Sequence, residues 1–227
     1  MTLVPIVPGL IWCASQAVTF GPIRVDTRMT IVRLSDGSLW VHSPIEPTNE
    51  LVAAIRKVGT VSHVVAPNLS HSRYFRSFLH AFPEAMGHIA RGLDRKHPEL
   101  SGYNTLPLDG APWSDTLESQ FIDGLATLNE TAWYHPASAT LIVTDLLFCI
   151  GGKNVADRLL ARLLGVHQRV AMSRTMKWLV TDRPAFARSI ALLCARDIRR
   201  IILAHDQIIE TDAAPRLAAA FAWIRDQ

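Results

Sequence analysis

Short apolar, β-branched runs alternate with polar turns through the first half of the chain. Residues 10–14 and 29–34 read as strands. Ser35-Asp36-Gly37-Ser38 supplies a hairpin turn, and Leu39-Trp40-Val41-His42 returns as the partner strand, closed by Pro44 and Pro47. Asn49 is placed to cap a helix over residues 50–58, with Leu51, Ala54, Ile55 and Val58 on one apolar face and Gly59 as its stop. Residues 62–66 form the next strand, and helical spacing resumes from Ser72 with Tyr74, Phe75, Phe78 and Leu79 inward. Pro107, Gly110 and Pro112 make the middle turn-rich, and residues 117–125 are ambiguous. Residues 132–134 and 139–144 then read as strands joined by His135-Pro136-Ala137-Ser138. Beyond Gly151-Gly152, helical spacing marks residues 155–166, 173–179 and 184–195, before a strand at 200–204 and a helix at 213–224. Mixed strands and helices predict α/β architecture.

Composition narrows the class. The 227 residues are 49% hydrophobic and 19% charged, as a soluble globular chain should be. Without an internal repeat or low-complexity linker, one domain over residues 1–227 is expected. The 23 Lys and Arg exceed the 20 Asp and Glu by a formal charge of +3, so the basic pI reflects no dense basic surface. Arginines between 158 and 200 are interspersed with apolar residues at helical spacing, which favours a solvated helix face over a nucleic-acid patch. No nucleic-acid partner is expected. Cys13, Cys149 and Cys194 are odd in number and far apart, which argues against a disulfide framework or a zinc ribbon. The proline-broken N-terminus lacks a basic n-region, and no apolar run is long enough to span a membrane. A cytoplasmic protein without a membrane partner is the resulting expectation.

Three hydrophobic runs end in residues with ligand chemistry. Val64-Val65-Ala66 leads into Pro67-Asn68-Leu69-Ser70-His71, residues 140–144 lead to Asp145, and Ile201-Ile202-Leu203-Ala204 leads to His205. Taken singly, a histidine at a strand end is commonly a hydrogen-bonded structural residue, and Asp145 suits the cap of a turn. His42, His63, His80, His88, His97 and His167 lack such context and read as surface or packing residues. Trp12, Trp40 and Trp133 lie on the expected strands and read as core.

The order of these motifs resembles the metallo-β-lactamase fold superfamily, in a divergent branch of unknown function. That resemblance implies an αββα four-layer sandwich over residues 1–227, with a helical insertion at about 153–182. Families of this fold carry an Asp-x-Gly turn after a hairpin, then a strand ending in His-x-His-x-Asp-His. Here the hairpin ends in His42-Ser43-Pro44-Ile45, and aligning the last histidine on His71 puts Ser70, Asn68 and Ala66 at the other three positions. His135-Pro136-Ala137-Ser138 looks like the family's His-Thr-Pro-Gly-Ser turn. Asp145 looks like its bridging aspartate, and His205 like its final histidine, with Asp206 in place of the usual glycine.

The resemblance implies a metal site of His71, Asp145 and His205, with His135 as a further ligand. Two imidazoles and a carboxylate suit one zinc ion and leave a position for water, while iron and manganese are compatible. Asp145 and His135 are the catalytic candidates, and Asn68, Ser70 and Asp206 are placed to hydrogen-bond substrate or water. The expected activity is hydrolysis of an ester, thioester, lactone or phosphodiester small molecule. Against it stands a silent member that binds a small molecule or protein, with residues 155–179 as a homodimer or partner surface. Loss of the first-site histidines argues against a di-iron oxidoreductase, and Gly151-Gly152-Lys153 lacks the full phosphate-loop spacing.

Overall fold

The computed structural model describes residues 2–20 and 23–224. Its strands form two sheets. The first runs in chain order: β1 (Val4–Val7), β2 (Ile11–Phe20), β3 (Ile23–Arg33), β4 (Leu39–His42), β5 (Val61–Ala66), β6 (Met86–Ala90) and β7 (Asn104–Leu106). The pairs from β1 to β4 are antiparallel and those from β4 to β7 parallel. The second sheet contains β8 (Glu118–Phe121), β9 (Thr131–His135), β10 (Thr140–Val143), β11 (Arg200–Leu203) and β12 (Ile208–Ile209), in the order β12-β11-β10-β9-β8. Only β10 and β11 run parallel in it.

Helices cover both outer faces. Against the first sheet lie α1 (Asn49–Val58), α2 (Phe75–Ala81) and α3 (Leu93–Lys96), which bury Leu51, Ile55, Phe75, Phe78 and Leu93 with Val41, Val64 and Ile89. Then follow α4 (Val155–Leu163), α5 (Arg174–Trp178), α6 (Arg183–Cys194) and α7 (Ala213–Ala220). Of these, α6 and α7 seal the second sheet through Phe186, Ile190, Leu193 and Leu217 against Leu141, Val143 and Ile201. Between the sheets lies a third core of Trp40, Val65, Trp113, Trp133, Ile142 and Ile202. Helices, two sheets and helices make the αββα sandwich. Strands covered on both faces are mostly apolar, and every residue of β4 and β10 is buried.

The local chemistry explains where expectation and structure differ. Thr48, one residue before Asn49, is the cap of α1: its Oγ1 accepts the Leu51 N–H at 3.3 Å. Glu50 in the first turn and Arg56 and Lys57 in the last complement the helix dipole. Strand β2 extends well past Ala14, because the ladder from Ser15↔Arg28 to Phe20↔Ile23 carries polar residues within a paired edge. The ambiguous stretch contains β8, which pairs with β9. No helix among the described residues is long and apolar enough to cross a membrane.

Candidate metal centre

Strand direction brings the ligands together. Because β10 and β11 are parallel with Val143 opposite Leu203, Asp145 and His205 stand abreast, each two residues beyond a paired position. The Ala204 N–H donates to Val143 O at 3.2 Å and continues the ladder towards them. From the other sheet, the chain leaving β5 turns sharply at Asn68, whose Oδ1 accepts the N–H groups of Ser70 and His71, each at 2.9 Å. That turn swings the His71 ring over the edge of the sandwich.

The three side chains meet closely. His71 Nε2 lies 3.1 Å from His205 Nε2, and Asp145 Oδ1 lies 3.1 Å from His205 Nε2 and 3.4 Å from His71 Nε2. Ligand atoms around one small divalent ion with bonds of about 2.0–2.1 Å are separated by roughly 3.3 Å in a tetrahedral set. The remote ring nitrogens are also occupied. His205 Nδ1 lies 3.2 Å from the carbonyl oxygen of Asp26, which only accepts, so Nδ1 carries a proton. His71 Nδ1 lies 2.7 Å from Ser43 Oγ, which accepts equally well. When Ser43 Oγ accepts from His71 Nδ1, both neutral rings turn their Nε2 lone pairs, with a carboxylate oxygen, to one locus. Such a set repels itself unless a cation or a proton occupies it, so the residues fit a single divalent metal.

Deeper contacts hold the ligands in place. Asn68 Nδ2 donates to Asp145 Oδ2 at 3.0 Å and to Glu130 Oε2 at 3.1 Å. Glu130, fully buried just before β9, accepts the N–H groups of Thr144, Asp145 and Leu146 at 2.7, 2.8 and 3.1 Å. Burial, followed by the charge of Asp145, pushes its carboxyl up to about 7. Burial also works against ionised Asp145, but the His71 charge and the bonds from His205 and His71 outweigh it and hold Asp145 well below the usual carboxylate range. For His205, burial disfavours the imidazolium, and the hydrogen bond and charge of Asp145 more than reverse this, raising its pKa. On β3, the buried Arg28 guanidinium donates to the carbonyl oxygens of Leu203 and Asp206, clamping the loop that carries His205.

The model of a domain of unknown function, DUF4336, matches residues 8–177. The chain belongs to the DUF4336 family. The match takes in His71 and Asp145 and ends before His205. No curated protein matches this DUF4336 chain. Among solved structures, a metallo-β-lactamase from Pontibacter korlensis is 16% identical, with a TM-score of 0.66, over 100% of this chain and 99% of that one. The metallo-β-lactamase FIM-1 from Pseudomonas aeruginosa, solved in its mono-zinc form, is 12% identical, with a TM-score of 0.65, over 98% and 95%. A flavodiiron protein from Giardia intestinalis is 12% identical, with a TM-score of 0.67, over 100% of this chain and 60% of that one. Identities this low speak of fold alone. The DUF4336 chain has a metallo-β-lactamase fold.

His135 is the correction. Strand β9 runs antiparallel to β10, with His135 opposite Thr140, so its end faces the far edge of the sheet. Five strand positions separate Thr140 from Asp145, on the order of 16 Å. The His135 ring bonds Ser138 Oγ at 2.7 Å instead, and burial lowers its pKa. Among the described residues, His71, Asp145 and His205 form the metal-capable group without it.

The remaining candidates are near the triad. Ser70 and Asp206 line the cavity above it, and Asp206 Oδ2 accepts the Gly151 N–H at 2.6 Å. Lys153 Nζ lies 2.7 Å from Asp26 Oδ1 at the same cavity. Four contributors escaped sequence reasoning: Ser43, Asp26, Glu130 and Arg28. Glu130 alone carried a visible hint, as an acidic residue directly before a strand whose every residue is buried.

Proposed function

We propose that this chain is a single-metal hydrolase of a small ester, thioester, lactone or phosphodiester. One observation carries the reading: three ligand atoms from His71, Asp145 and His205 lie within 3.4 Å of one another and line a cavity. The site supports one ion rather than two. Ala66 and Asn68 replace two expected histidines, and the Asn68 amide occupies Asp145 Oδ2, leaving Oδ1 as the free donor. Zinc is the first candidate, with iron and manganese compatible.

When bound, such an ion supplies an activated water and polarises the substrate oxygen. The chain's residues do the rest. Ser43 and the Asp26 carbonyl orient the two imidazoles, and Glu130 and Asn68 fix the carboxylate. Asp206, with one oxygen held by Gly151, is assigned the proton: it accepts one from the attacking water and delivers it to the leaving group. Water oxygen bonds to the carbonyl carbon, or to phosphorus in a phosphodiester, and the bond from that atom to the leaving oxygen or sulfur breaks. Purified without chelator, the protein should hydrolyse a panel of aryl esters and thioesters, with loss of activity in His71→Ala and in chelator, and a lowered kcat in Asp206→Asn. Unchanged turnover in His71→Ala sinks the mechanism.

A second reading rests on the same atoms. Asp145 lies within ion-pair distance of both imidazoles, so a single shared proton can satisfy the cluster. In that case the chain binds a ligand or partner without hydrolysing it. Retained ligand binding without turnover or metal uptake distinguishes it.

A further inference from the structure

Above the triad lies a cavity of about 290 Å³, whose walls differ sharply from its floor. Leu160, Ala161 and Leu164 of α4 and its following turn, Met176 of α5, and Phe148 and Ile150 line it. These residues present hydrocarbon, a ring face and one thioether. Besides the imidazoles of His71 and His205, the charged residues lining the space are Asp26, Asp145, Asp157 and Asp206 against Lys153. Lys153 is paired with Asp26 at 2.7 Å. Asp157 is buried, and its Oδ2 finds no hydrogen-bond partner among the described residues. Without an ion at the triad, an anionic phosphoryl group entering here would meet carboxylates, with Lys153 already paired to Asp26. A neutral apolar group would meet complementary walls.

The roof also carries a small apolar cluster. Ala161, Val166 and Ala171 pack with Phe148, Ile150 and Leu164 as a small cluster of their own, apart from the three main cores. Gly152, at φ +78°, makes the turn into α4, and a Cβ there would meet the Arg158 nitrogen at 2.8 Å.

We infer that this cavity is an acyl site: it takes a neutral carboxylic ester, thioester or lactone whose aliphatic chain lies under α4 while its carbonyl faces the triad. The volume accommodates on the order of ten non-hydrogen atoms, taking each as similar to a water in size, which is a medium-length chain. The carbonyl end rests on the hydrolase reading; the chain end rests on the cavity alone. That separation makes the two distinguishable. In ester hydrolysis the acyl carbon–oxygen bond breaks, water supplies the new oxygen, and its proton leaves with the alcohol, so no further reactant is required.

The test is calorimetric titration of chelator-treated protein with hexanamide, octanamide and decanamide, which are neutral and not turned over, beside octyl phosphate. Affinity should rise about fourfold per added methylene until the cavity is filled. Octanamide should bind more tightly than octyl phosphate. Leu160→Trp and Leu164→Trp should each weaken octanamide at least tenfold. Affinity independent of chain length, or octyl phosphate binding as tightly as octanamide, overturns the acyl site even if metal binds and esters are cleaved. Chain-length dependence in a protein that takes up no metal keeps the acyl site and removes the hydrolase.

Discussion

Two groups of buried imidazoles sit in this sandwich and behave in opposite ways. At the strand ends, His71 and His205 converge on Asp145, with their remote nitrogens held by Ser43 and a carbonyl. Between the sheets, His42, His63 and His88 lie among Trp40, Trp113 and Trp133, with no carboxylate hydrogen-bonded to them among the described residues. His63 Nδ1 meets His88 Nε2 at 3.1 Å, while His42 Nε2 and His88 Nδ1 have no hydrogen-bond partner among the described residues. Burial, aided by the His71 charge, holds His42 down at about 3; burial and His63 hold His88 at about 4. His205 is raised. Burial acts on all of these rings, and the neighbouring carboxylate reverses its effect. A histidine's position in the fold therefore matters less than whether an anion and an orienting partner accompany it.

The largest expected difference between the groups concerns metal. His71→Ala or Asp145→Ala should weaken zinc binding by more than roughly 100-fold, beyond what loss of a supporting residue costs, whereas His88→Phe should leave it unchanged. Competition titration against a chromogenic chelator measures both. Equal losses at the two sites would erase the distinction.

Removing the carboxylate beneath the ligands comes next. Glu130→Leu leaves the Thr144, Asp145 and Leu146 N–H groups and the Asn68 amide short of an acceptor, and should cost about 3 kcal/mol in denaturant unfolding. A cost below about 1 kcal/mol would show that these donors find water or another acceptor.

Acid separates the two groups by sign. In the folded chain His42 and His88 stay neutral, while an unfolded chain protonates them below about 6.5. Their contribution is complete above that pH and falls as pH drops towards 4, by about 2 kcal/mol apiece at pH 5 relative to pH 7. His205 runs the other way in metal-free protein: its stabilisation is complete below its unfolded pKa and is lost as pH rises through its higher folded value. Ring resonances followed by NMR should show His205 titrating above 6.5 and the two core histidines unprotonated at pH 5. The reverse order contradicts the electrostatics.

The smallest effect tests an orienting contact. Ser43→Ala leaves every ligand in place but frees the His71 ring, and should weaken metal binding about tenfold.

What was legible in the chain followed from local chemistry. The turn at Ser35 to Ser38, the cap near residue 49 and the apolar runs ending at His71, Asp145 and His205 all lie within a few residues of their cause. His135 failed because its strand has the right pattern and the wrong direction: antiparallel pairing with β10 carries its end to the far edge. Glu130 went unseen because its acceptors are defined by β10 and Asn68, distant in sequence. β6 was hidden by Gly87 and His88, which break its apolar run, yet Gly87 is required where a Cβ would meet the Tyr103 ring at 2.6 Å. The inner histidines were read as surface or packing residues, and only the stacking of two sheets makes them core.

The most direct measurement is the number of ions per chain, read by elemental analysis after equilibration with zinc and removal of excess. One equivalent is expected, falling to none in the double variant His71→Ala, Asp145→Ala. Two equivalents, or none in the unaltered protein, would contradict a single-metal centre at His71, Asp145 and His205.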